Sequence, residues 1–593
     1  MSDTTRVASI RATETGAVPR RPRVRPRRRH LAILAAVAEV ISVCSMGLAA
    51  DPPAPRPVRG YAATVQPLAT RAALDAFARG GNAIDAAVAA GLTLGVVDGH
   101  NSGIGGGCFI LLRLADGRLI CLDGRETAPA AATRDMFLRD GRAVDALSRK
   151  GVLASGVPGA LAAYAVAVER FGRLPLAAAV EAGIRHAEDG FPIDAVYARK
   201  LKATADDLAA FPASRSVFLR DDGSPWPEGH VLVQKDLAGT YRALASEGPA
   251  WFYRGPFAEA TAALMTSAGG LLTAADFRDY RPLERKPLVS TYRDWTIVGF
   301  PPPSSGGVHV AQMLNLLAGM PADDLKPGTA GFVHRVVETM KLAFADRAHW
   351  LGDPAFVDVP TGLVSMAYAR QLAARIDPER ATPVARHGEP PDWQQVHFDK
   401  HTTHFAAADE EGNWASITAT INTAFGSKVV VPGTGVLLNN EMDDFTVAPG
   451  VPNHFGLVGG EFNAVAPGKR PLSSMSPTIV LDAAGDPVMS IGAAGGPTII
   501  TQVLLGLLHS LDHSMPPGEA LAQPRFHHQW SPDRVRLEEA AGEQLAGELR
   551  FRGHEVAVEK AFGACQIIRR PRGESFEGAS DPRVPGLAAG SDP

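Results

Sequence analysis

The chain has 593 residues, 46% of them hydrophobic, and is therefore long enough to bury one large core or several smaller ones. Its formal net charge is −4, and nine arginines are concentrated in the first thirty residues. Because the remainder is mildly acidic, the charge excludes a broad basic surface of the kind that binds nucleic acids.

A segment typical of a secretory leader opens the chain. The Arg-rich stretch ends at Arg29, and the mostly apolar run "LAILAAVAEVISVCSMGLAA" that follows ends in small residues. This order predicts a signal peptide over residues 1–50 and export to the periplasm or the exterior. An uncleaved membrane anchor is the alternative, because a run of about 20 residues can span a bilayer. Glu39 within the run disfavours the anchor.

Helix and strand patterns alternate through the first half of the chain. After a Pro-rich linker at 51–60, Ala-rich helices broken at Gly80-Gly81 precede the strand patterns "FILLRL" and "LICLDG". Residues 151–283 are predicted to be largely helical, and "TYRDWTIVGF" predicts a return to strand. The stretch "PPPSSGGVHVAQMLNLLAG" then predicts a rigid loop that enters a helix.

A second group of strands follows a polar, Pro-rich connector at 377–399. The strand patterns are "HFAAAD", "WASITATI", "TIVLDAAGDPVMSIGA", "EVAVEKA" and "ACQIIRR", and helices such as "TIITQVLLGLLHSL" lie between them. Strands framed by helices on both sides predict a layered α/β core.

The stretch "KHTTHFAAADEEGNWASITATINTAFG" predicts two paired strands with polar groups on one face. If Ala408 pairs with Trp414 across the intervening loop, alternation brings a set of polar side chains to the same face. The members of that face are Thr402, Thr418, Thr420 and Asn422. An ordinary half-exposed strand pair accounts for this pattern equally well, so the pattern alone does not establish a site.

Thr402 could act as a nucleophile if it were the first residue of a chain. A threonine at the start of a chain can use its own α-amine as the base that removes the hydroxyl proton. The reference pKa of that amine, about 7.7–8.0, leaves much of it neutral near physiological pH. Thr402 would gain a free amine if the backbone were cut after His401, where the polar connector ends.

Seven short motifs follow one another along the chain. They are "GGNAIDAAVA", "DGRETAPAAATRDMF", "PPPSSGG", "TTHF", "LLNNEMDDF", "KRPLSSMSPT" and "PRFHHQW". In this order, from about Val58 to the C-terminus, the sequence resembles the γ-glutamyltranspeptidases. The resemblance implies an N-terminal-nucleophile hydrolase with a four-layer αββα core. It also implies a precursor that cuts itself between His401 and Thr402 into a large subunit, 51–401, and a small catalytic subunit, 402–593, which form the fold jointly.

The resemblance assigns the reaction centre to four residues. Thr402 would be the nucleophile, and Thr420 would hydrogen-bond its hydroxyl. Gly495 and Gly496 would present backbone N–H groups to the oxyanion, because glycine permits close approach and unusual dihedral angles.

The resemblance also assigns the residues that would hold a γ-linked glutamyl group. Arg125 would bind the α-carboxylate with the hydroxyls of Ser473 and Ser474, since a guanidinium suits that anion. The residues implied for the α-ammonium are Asn422, Glu441 and Asp444. Phe455 stands where relatives often carry a tyrosine that closes a lid over the site.

The implied activity is that of a γ-glutamyltranspeptidase or glutathione hydrolase, which passes a γ-glutamyl group to water, an amino acid or a peptide amine. No cofactor or metal is implied, and the expected partners are these small molecules and the two subunits themselves. One alternative is a cephalosporin-acylase-like amidase for glutaryl or adipyl amides, which lack the α-ammonium. The other is an unprocessed, inactive binding homologue.

Overall fold

Two antiparallel β-sheets packed face to face form the centre of the computed structural model, which describes residues 58–391 and 404–591. In chain order, the strands of these sheets are β1 (Gly60–Thr64), β2 (Gly107–Arg113), β3 (Leu119–Gly124), β4 (Leu283–Arg285), β5 (Leu288–Tyr292), β6 (Trp295–Gly299), β7 (His404–Asp409), β8 (Trp414–Thr420), β9 (Thr478–Leu481), β10 (Pro487–Ala494), β11 (Ala564–Arg569), β12 (Glu577–Ser580) and β13 (Leu587–Gly590).

The first sheet has the order β13-β1-β7-β8-β2-β3-β4, and the second has the order β12-β11-β10-β9-β6-β5. Ala408 pairs with Trp414 and His404 pairs with Thr418, which confirms the register predicted for the β7–β8 hairpin. The expectation of a half-exposed strand pair is wrong, because every residue of β7 and β8 is buried. Both faces are covered, one by helices and the other by the second sheet.

The space between the sheets is filled by inward-facing side chains from both. The rings of Phe109 and Phe300 stack there with their centroids 4.2 Å apart, and Trp414 and Ile568 pack in the same cluster. Large rings packed between two sheets bury much apolar surface, which stabilises the face-to-face arrangement.

Helices cover the outer face of each sheet. In chain order, the helices of the described residues are α1 (Pro67–Ala78), α2 (Ala83–Val97), α3 (Asp145–Arg149), α4 (Ala160–Phe171), α5 (Leu176–Asp189), α6 (Ala195–Ala209), α7 (Pro212–Phe218), α8 (Lys235–Glu247), α9 (Pro249–Tyr253), α10 (Pro256–Ala268), α11 (Ala274–Asp279), α12 (Ser305–Ala318), α13 (Ala330–Trp350), α14 (Met366–Ala373), α15 (Thr498–Leu507), α16 (Pro517–Ala522) and α17 (Glu543–Phe551). The eight helices between 151 and 283, α4 to α11, confirm the helical pattern predicted for that region.

The two helical layers and the two sheets make four layers in the order α, β, β, α. Helices α1, α2 and α4 pack on the first sheet, whereas α12 and α15 pack on the second. Helix α2 is apolar on nearly every face, as expected of a helix buried on all sides, and Asn82 and Asp85 begin it with a capping box. The layered α/β core predicted from the sequence is therefore confirmed.

Each sheet contains strands from both sides of the 392–403 segment. In the first sheet β1 lies between β13 and β7, and in the second β9 pairs with β6. A cut near residue 402 would leave two chains that share both sheets. Among the described residues, no helix is both long and apolar enough to cross a bilayer. The predicted leader lies outside them.

Candidate active site

Arg125 lies at the end of β3, where a cage of carboxylates surrounds its guanidinium. Its Nη2 donates to Asp444 Oδ2 at 2.8 Å, and its Nη1 donates to Glu126 Oε2 at 3.3 Å and to a carboxylate oxygen of Glu441. The Asp123 carboxylate accepts the backbone N–H of Arg125 at 2.9 Å and so fixes the turn out of the strand. We call Arg125, Glu126, Glu441 and Asp444 the acidic cage.

The acidic cage is almost completely removed from solvent, and it holds more acid than base. The side chain of Arg125 is 0% exposed. Burial lowers the pKa of Arg125, but the nearby Glu441, Glu126 and Asp444 carboxylates outweigh it and hold that pKa above its ordinary value. Burial raises the pKa of both Glu126 and Glu441. Glu126 Oε1 and Glu441 Oε2 have no hydrogen-bond partner in the described ranges, so both can accept from a bound cation.

A short 3-10 helix, Glu441–Asp444, brings two of these acids into the cage. Asn439 holds its start: the Asn439 side chain accepts from the Glu441 N–H at 3.0 Å and donates to the Gly105 carbonyl at 2.9 Å. The glycine-rich turn at 103–107 therefore packs against the site.

Ser473 and Ser474 lie beside the cage together with a second buried guanidinium, that of Arg347. Arg347 donates from Nε to Ser305 Oγ at 3.1 Å and from Nη2 to Ser474 Oγ at 3.4 Å. It forms no ion pair within 4.0 Å in the described part of the chain, and burial lowers its pKa to about 10. The buried hydroxyl of Ser473 has no hydrogen-bond partner among the described residues. These groups can hold an anion.

The sequence analysis missed Arg347 and Glu126, both of which lie at this site. Arg347 sits in "LAFADRAHW" on α13, a pattern that indicates only an amphipathic helix. Glu126 is the neighbour of Arg125 in "DGRET", a motif in which the resemblance assigns a role to Arg125 alone. The signal that would have found Arg347 is an arginine on the apolar face of a helix, because such a charge needs a partner.

Thr420 ends β8, and its hydroxyl is already oriented by the following loop. The Asn422 N–H donates to Thr420 Oγ1 at 2.7 Å, so the hydroxyl proton remains available for donation to another group. Asn422 has a φ of 74°, and its side-chain amide donates to the Asn440 carbonyl at 2.9 Å. Asn422 thus connects the end of β8 to the strand-like segment that leads into the acidic cage.

Gly495 and Gly496 form the turn between β10 and α15. Their φ values are 132° and 60°, in the left-handed region that favours glycine. No hydrogen bond donated by either backbone N–H occurs within the described ranges. The turn lies at the N-terminus of α15, where the helix dipole favours negative charge. The arrangement is therefore suited to an oxyanion.

Phe455 covers this turn from the predicted lid. A Cβ added to Gly496 would lie 2.6 Å from Phe455 Cδ1, so the ring is in contact with the glycine backbone. Asn453 accepts the Phe455 N–H at 3.0 Å and donates to Asp444 Oδ1 at 3.3 Å. The lid segment is thereby fastened to the acidic cage.

A cavity of about 380 Å³ opens beside the turn. Asn422, Gly495, Gly496 and Phe455 line it, whereas the acidic cage and Ser473 and Ser474 do not. The predicted site residues therefore fall into two adjacent groups that are joined through Asn422. His401 and Thr402 lie outside the described residues, so their roles stay predictions.

His404 is a structural residue in this arrangement. Its Nδ1 is 3.2 Å from Thr418 Oγ1, and the ring packs against Gly492 of the second sheet. Burial lowers the pKa of His404 to about 3, so the imidazole is neutral near physiological pH.

Among the described residues, one group of side chains has the spacing of metal ligands: His334, Glu338 and His554. Their hydrogen bonds are made within the protein, with His334 Nδ1 2.8 Å from His554 Nε2. The Lys341 ammonium donates to Glu338 at 2.9 Å, and a cation in that position opposes a second one. This geometry fits a hydrogen-bonded cluster better than a metal centre.

Comparisons with known proteins give the family. The sequence matches the family described as Gamma-glutamyltranspeptidase over residues 69–591. It is 41% identical to the glutathione hydrolase proenzyme of Escherichia coli (strain K12), over 94% of this chain and 98% of that protein. It is 39% identical to the Acylase ACY 1 proenzyme of Pseudomonas sp. (strain SE83), over 87% of this chain and 90% of that protein. The solved cephalosporin acylase from Bacillus halodurans matches with a TM-score of 0.79 at 30% identity, over 91% of this chain and 98% of that chain. The chain belongs to the γ-glutamyltranspeptidase family.

Proposed function

We propose that this protein is a γ-glutamyltranspeptidase that hydrolyses glutathione and related γ-glutamyl amides and transfers their acyl group to amines. Membership of the family supports the activity. The observation that carries the choice of substrate is the surplus of buried acid in the acidic cage, because only a donor with an α-ammonium uses it.

The two buried groups of side chains match the two charges of the donor's α-carbon. Glu441 and Asp444, with Asn422, would hold the ammonium. Ser473 and Ser474 would hold the carboxylate, helped by Arg347, while Arg125 balances the acids of the cage. Arg125 is expected from the sequence to bind the carboxylate directly. Its three carboxylate contacts support the additional role of orienting the acids.

The proposed reaction begins with attack of Thr402 Oγ on the γ-carbonyl carbon, while the α-amine of Thr402 accepts the hydroxyl proton. The carbonyl oxygen becomes an oxyanion, which the N–H groups of Gly495 and Gly496 stabilise. The C–N bond then breaks, the leaving amine takes up the proton, and a γ-glutamyl ester of Thr402 remains. Water or a second amine attacks the ester, and Thr402 is regenerated.

Thr420 is proposed to donate its hydroxyl proton to Thr402 Oγ. The contact between the Asn422 N–H and Thr420 Oγ1 supports this direction, because it occupies an acceptor site on that oxygen. We further propose that the precursor cuts itself after His401 into subunits 51–401 and 402–593, and that the 1–50 leader directs export. The two subunits would remain associated because strands from both sides of the cut share each sheet.

A cephalosporin-acylase-like amidase is the second candidate. It is favoured by the likeness to the Pseudomonas and Bacillus halodurans acylases. A glutaryl donor is a γ-glutamyl donor without the α-amine, so it would leave the surplus acid of the cage unpaired. An unprocessed, inactive binding homologue is the third candidate.

A direct comparison of two donors tests the proposed function. We expect the purified protein to give two bands on a denaturing gel and to prefer γ-glutamyl-4-nitroanilide over glutaryl-4-nitroanilide. The preference in kcat/KM should be at least about tenfold, because a charge-assisted hydrogen bond contributes roughly 1.5–3 kcal/mol. A preference for the glutaryl donor would establish the acylase, and a single inactive band would establish the binding homologue.

The dependence of hydrolysis on pH should reflect the base. If the α-amine of Thr402 is the base, kcat/KM rises with pH through an apparent pKa of about 7–8, because only the neutral amine accepts a proton. Ionisation of Glu126, whose pKa is raised by burial, would change the rate in the same direction. The pH profile therefore needs a chemical test of the amine beside it.

Acetylation of the mature enzyme at about pH 6.5 modifies an α-amine ahead of lysine side chains with the ordinary pKa of about 10.4. Burial lowers the pKa of Lys428 and Lys469 to about 8, so peptide mapping must show that these two lysines stay unmodified. Hydroxylamine then removes acetyl esters and leaves the amide, and mass spectrometry of the small subunit verifies a single blocked amine. We expect this enzyme to lose acylation by γ-glutamyl donors. Undiminished hydrolysis after complete blocking would exclude the amine and show that another group is the base.

A further inference from the structure

The cavity beside Gly495 and Gly496 contains two lysines that the proposed reaction does not use. Lys200 and Lys428 line it together with the glycine turn and Asn422. Its volume of about 380 Å³ lies within the range of roughly 300–1,000 Å³ that is typical of small-molecule sites. The acidic cage is a separate, fully buried group, so this cavity is the space that remains for the rest of a donor or for an acceptor.

Lys428 is held in an unusual backbone conformation that keeps its ammonium at the cavity. The residue is 6% exposed and has a φ of 68°, in the left-handed region that non-glycine residues rarely adopt. Its Nζ donates to the Gly426 carbonyl at 2.7 Å and to Thr423 Oγ1 at 3.2 Å. Both acceptors are neutral, so the ammonium has no carboxylate in direct contact, although Asp207 and Asp443 attract it from a longer distance. Burial lowers the pKa of Lys428 to about 8.

Lys200 reaches the same cavity from helix α6. It is partly buried, and burial lowers its pKa. Neither Lys200 nor Lys428 lies within 4.0 Å of a carboxylate in the described part of the chain. Asp207, the acid on the cavity wall, is bound to Lys150 at 2.8 Å. The cavity wall therefore carries two cations whose charge is not neutralised by a direct partner.

We infer that Lys200 and Lys428 form a binding site for a carboxylate on the leaving group of the donor or on the accepting amine. The chemical class is a short peptide or amino acid with a free carboxylate, which would offset two partly desolvated ammonium groups at once. This inference rests on the proposed function, because it assumes that the scissile carbonyl lies at Gly495 and Gly496. It assigns to this protein a preference for carboxylate-bearing acceptors and leaving groups over neutral ones.

A purely structural role of Lys428 makes a different prediction. If its ammonium only fastens the 422–428 loop through Gly426 and Thr423, replacement should lower turnover of all donors alike. The distinguishing quantity is therefore a ratio of kcat/KM values within each variant, in which a general loss of activity cancels.

The test uses two matched pairs of compounds. The donor pair is γ-glutamyl-3-carboxy-4-nitroanilide and γ-glutamyl-4-nitroanilide, which differ by one carboxylate on the leaving group. The acceptor pair is glycylglycine and glycylglycinamide, assayed in transfer. The donor pair reports on a carboxylate of the leaving group, and the acceptor pair reports on a carboxylate of the acceptor.

The variants are Lys200→Met, Lys428→Met and the control Lys202→Met, which removes an exposed lysine from the same helix as Lys200. We expect the wild-type and Lys202→Met proteins to prefer the carboxylated compound of at least one pair. Each cavity variant should reduce that preference about tenfold, because loss of a hydrogen bond to a charged group lowers binding by about tenfold or more.

The outcomes separate this inference from the proposed function. Normal turnover of γ-glutamyl-4-nitroanilide with preferences unchanged in both cavity variants would overturn the carboxylate site and leave the proposed function intact. If Lys428→Met does not fold, Lys200→Met alone decides, because that residue lies on a surface helix. Absence of wild-type turnover for every γ-glutamyl donor would overturn the proposed function itself.

Discussion

Replacement of Thr402 by alanine is expected to leave the protein as one uncut polypeptide without activity. The variant lacks the hydroxyl that would attack the His401 carbonyl, so the precursor has no nucleophile for its own cleavage. It also lacks the nucleophile for the donor, and removal of such a group costs at least about 10⁴-fold in kcat. A denaturing gel, N-terminal sequencing and a γ-glutamyl-4-nitroanilide assay measure both effects.

Two neighbouring variants make this result specific. Thr402→Ser keeps a hydroxyl and should still be cut, whereas Thr403→Ala removes the adjacent hydroxyl and should give normal bands and a normal N-terminus at Thr402. Efficient cleavage of Thr402→Ala at the bond after His401 would contradict the role of Thr402 as nucleophile in maturation. If donor hydrolysis were also undiminished in that variant, its role as nucleophile toward the donor would be contradicted as well.

Much of the fold follows from local patterns in the sequence. The β7–β8 register could be predicted because the loop between Ala408 and Trp414 is short and strand residues alternate faces. The burial of β7 and β8 could not be predicted in this way, because it depends on helix α2 and on the second sheet, which are distant in sequence. A strand rich in threonine is consistent with an exposed face, and only the packing of Thr418 and Thr420 against that sheet excludes it.

The candidate site was predicted less completely than the fold. The motifs identify Arg125, Glu441 and Asp444 as members of one site, and the structure brings all three together. They do not indicate that Arg125 contacts the acids directly, because that depends on the turn after β3. Arg347 was missed for a related reason. Its significance lies in the absence of a carboxylate partner in the described ranges, and such an absence cannot be seen in a linear sequence.

This arrangement changes what is expected of the Asp444 carboxylate. Asp444 accepts from Arg125 at 2.8 Å and from Asn453 at 3.3 Å, so it fastens the lid segment as well as contributing negative charge. A variant at this position therefore affects the charge available to an ammonium and the support of the lid. A donor without the ammonium separates these effects, because its turnover depends on the support of the lid but not on the charge that would bind an ammonium.

We expect Asp444→Asn to lose at least about tenfold in kcat/KM for γ-glutamyl-4-nitroanilide, and to lose much less for glutaryl-4-nitroanilide. Truncation of one partner of a buried charge pair costs roughly 2–5 kcal/mol, and each 1.4 kcal/mol is about tenfold. Arg125 keeps Glu126 and Glu441 as partners, so the variant does not leave that guanidinium unpaired. A thermal unfolding curve and the two-band gel verify that the variant folds and is processed.

Asp443→Asn is the matched control for this prediction. Asp443 lies in the same 3-10 helix and is equally buried, but its carboxylate accepts from Ser148 at 2.7 Å and from the His454 N–H at 2.9 Å rather than from the cage. Any loss in this variant should be equal for the two donors, because its contacts do not involve the ammonium. Equal losses for both donors in Asp444→Asn would remove the ammonium-binding role and assign the residue to support of the lid. A selective loss for the γ-glutamyl donor, absent from Asp443→Asn, would identify the acidic cage as the element that distinguishes a γ-glutamyl donor from a glutaryl one.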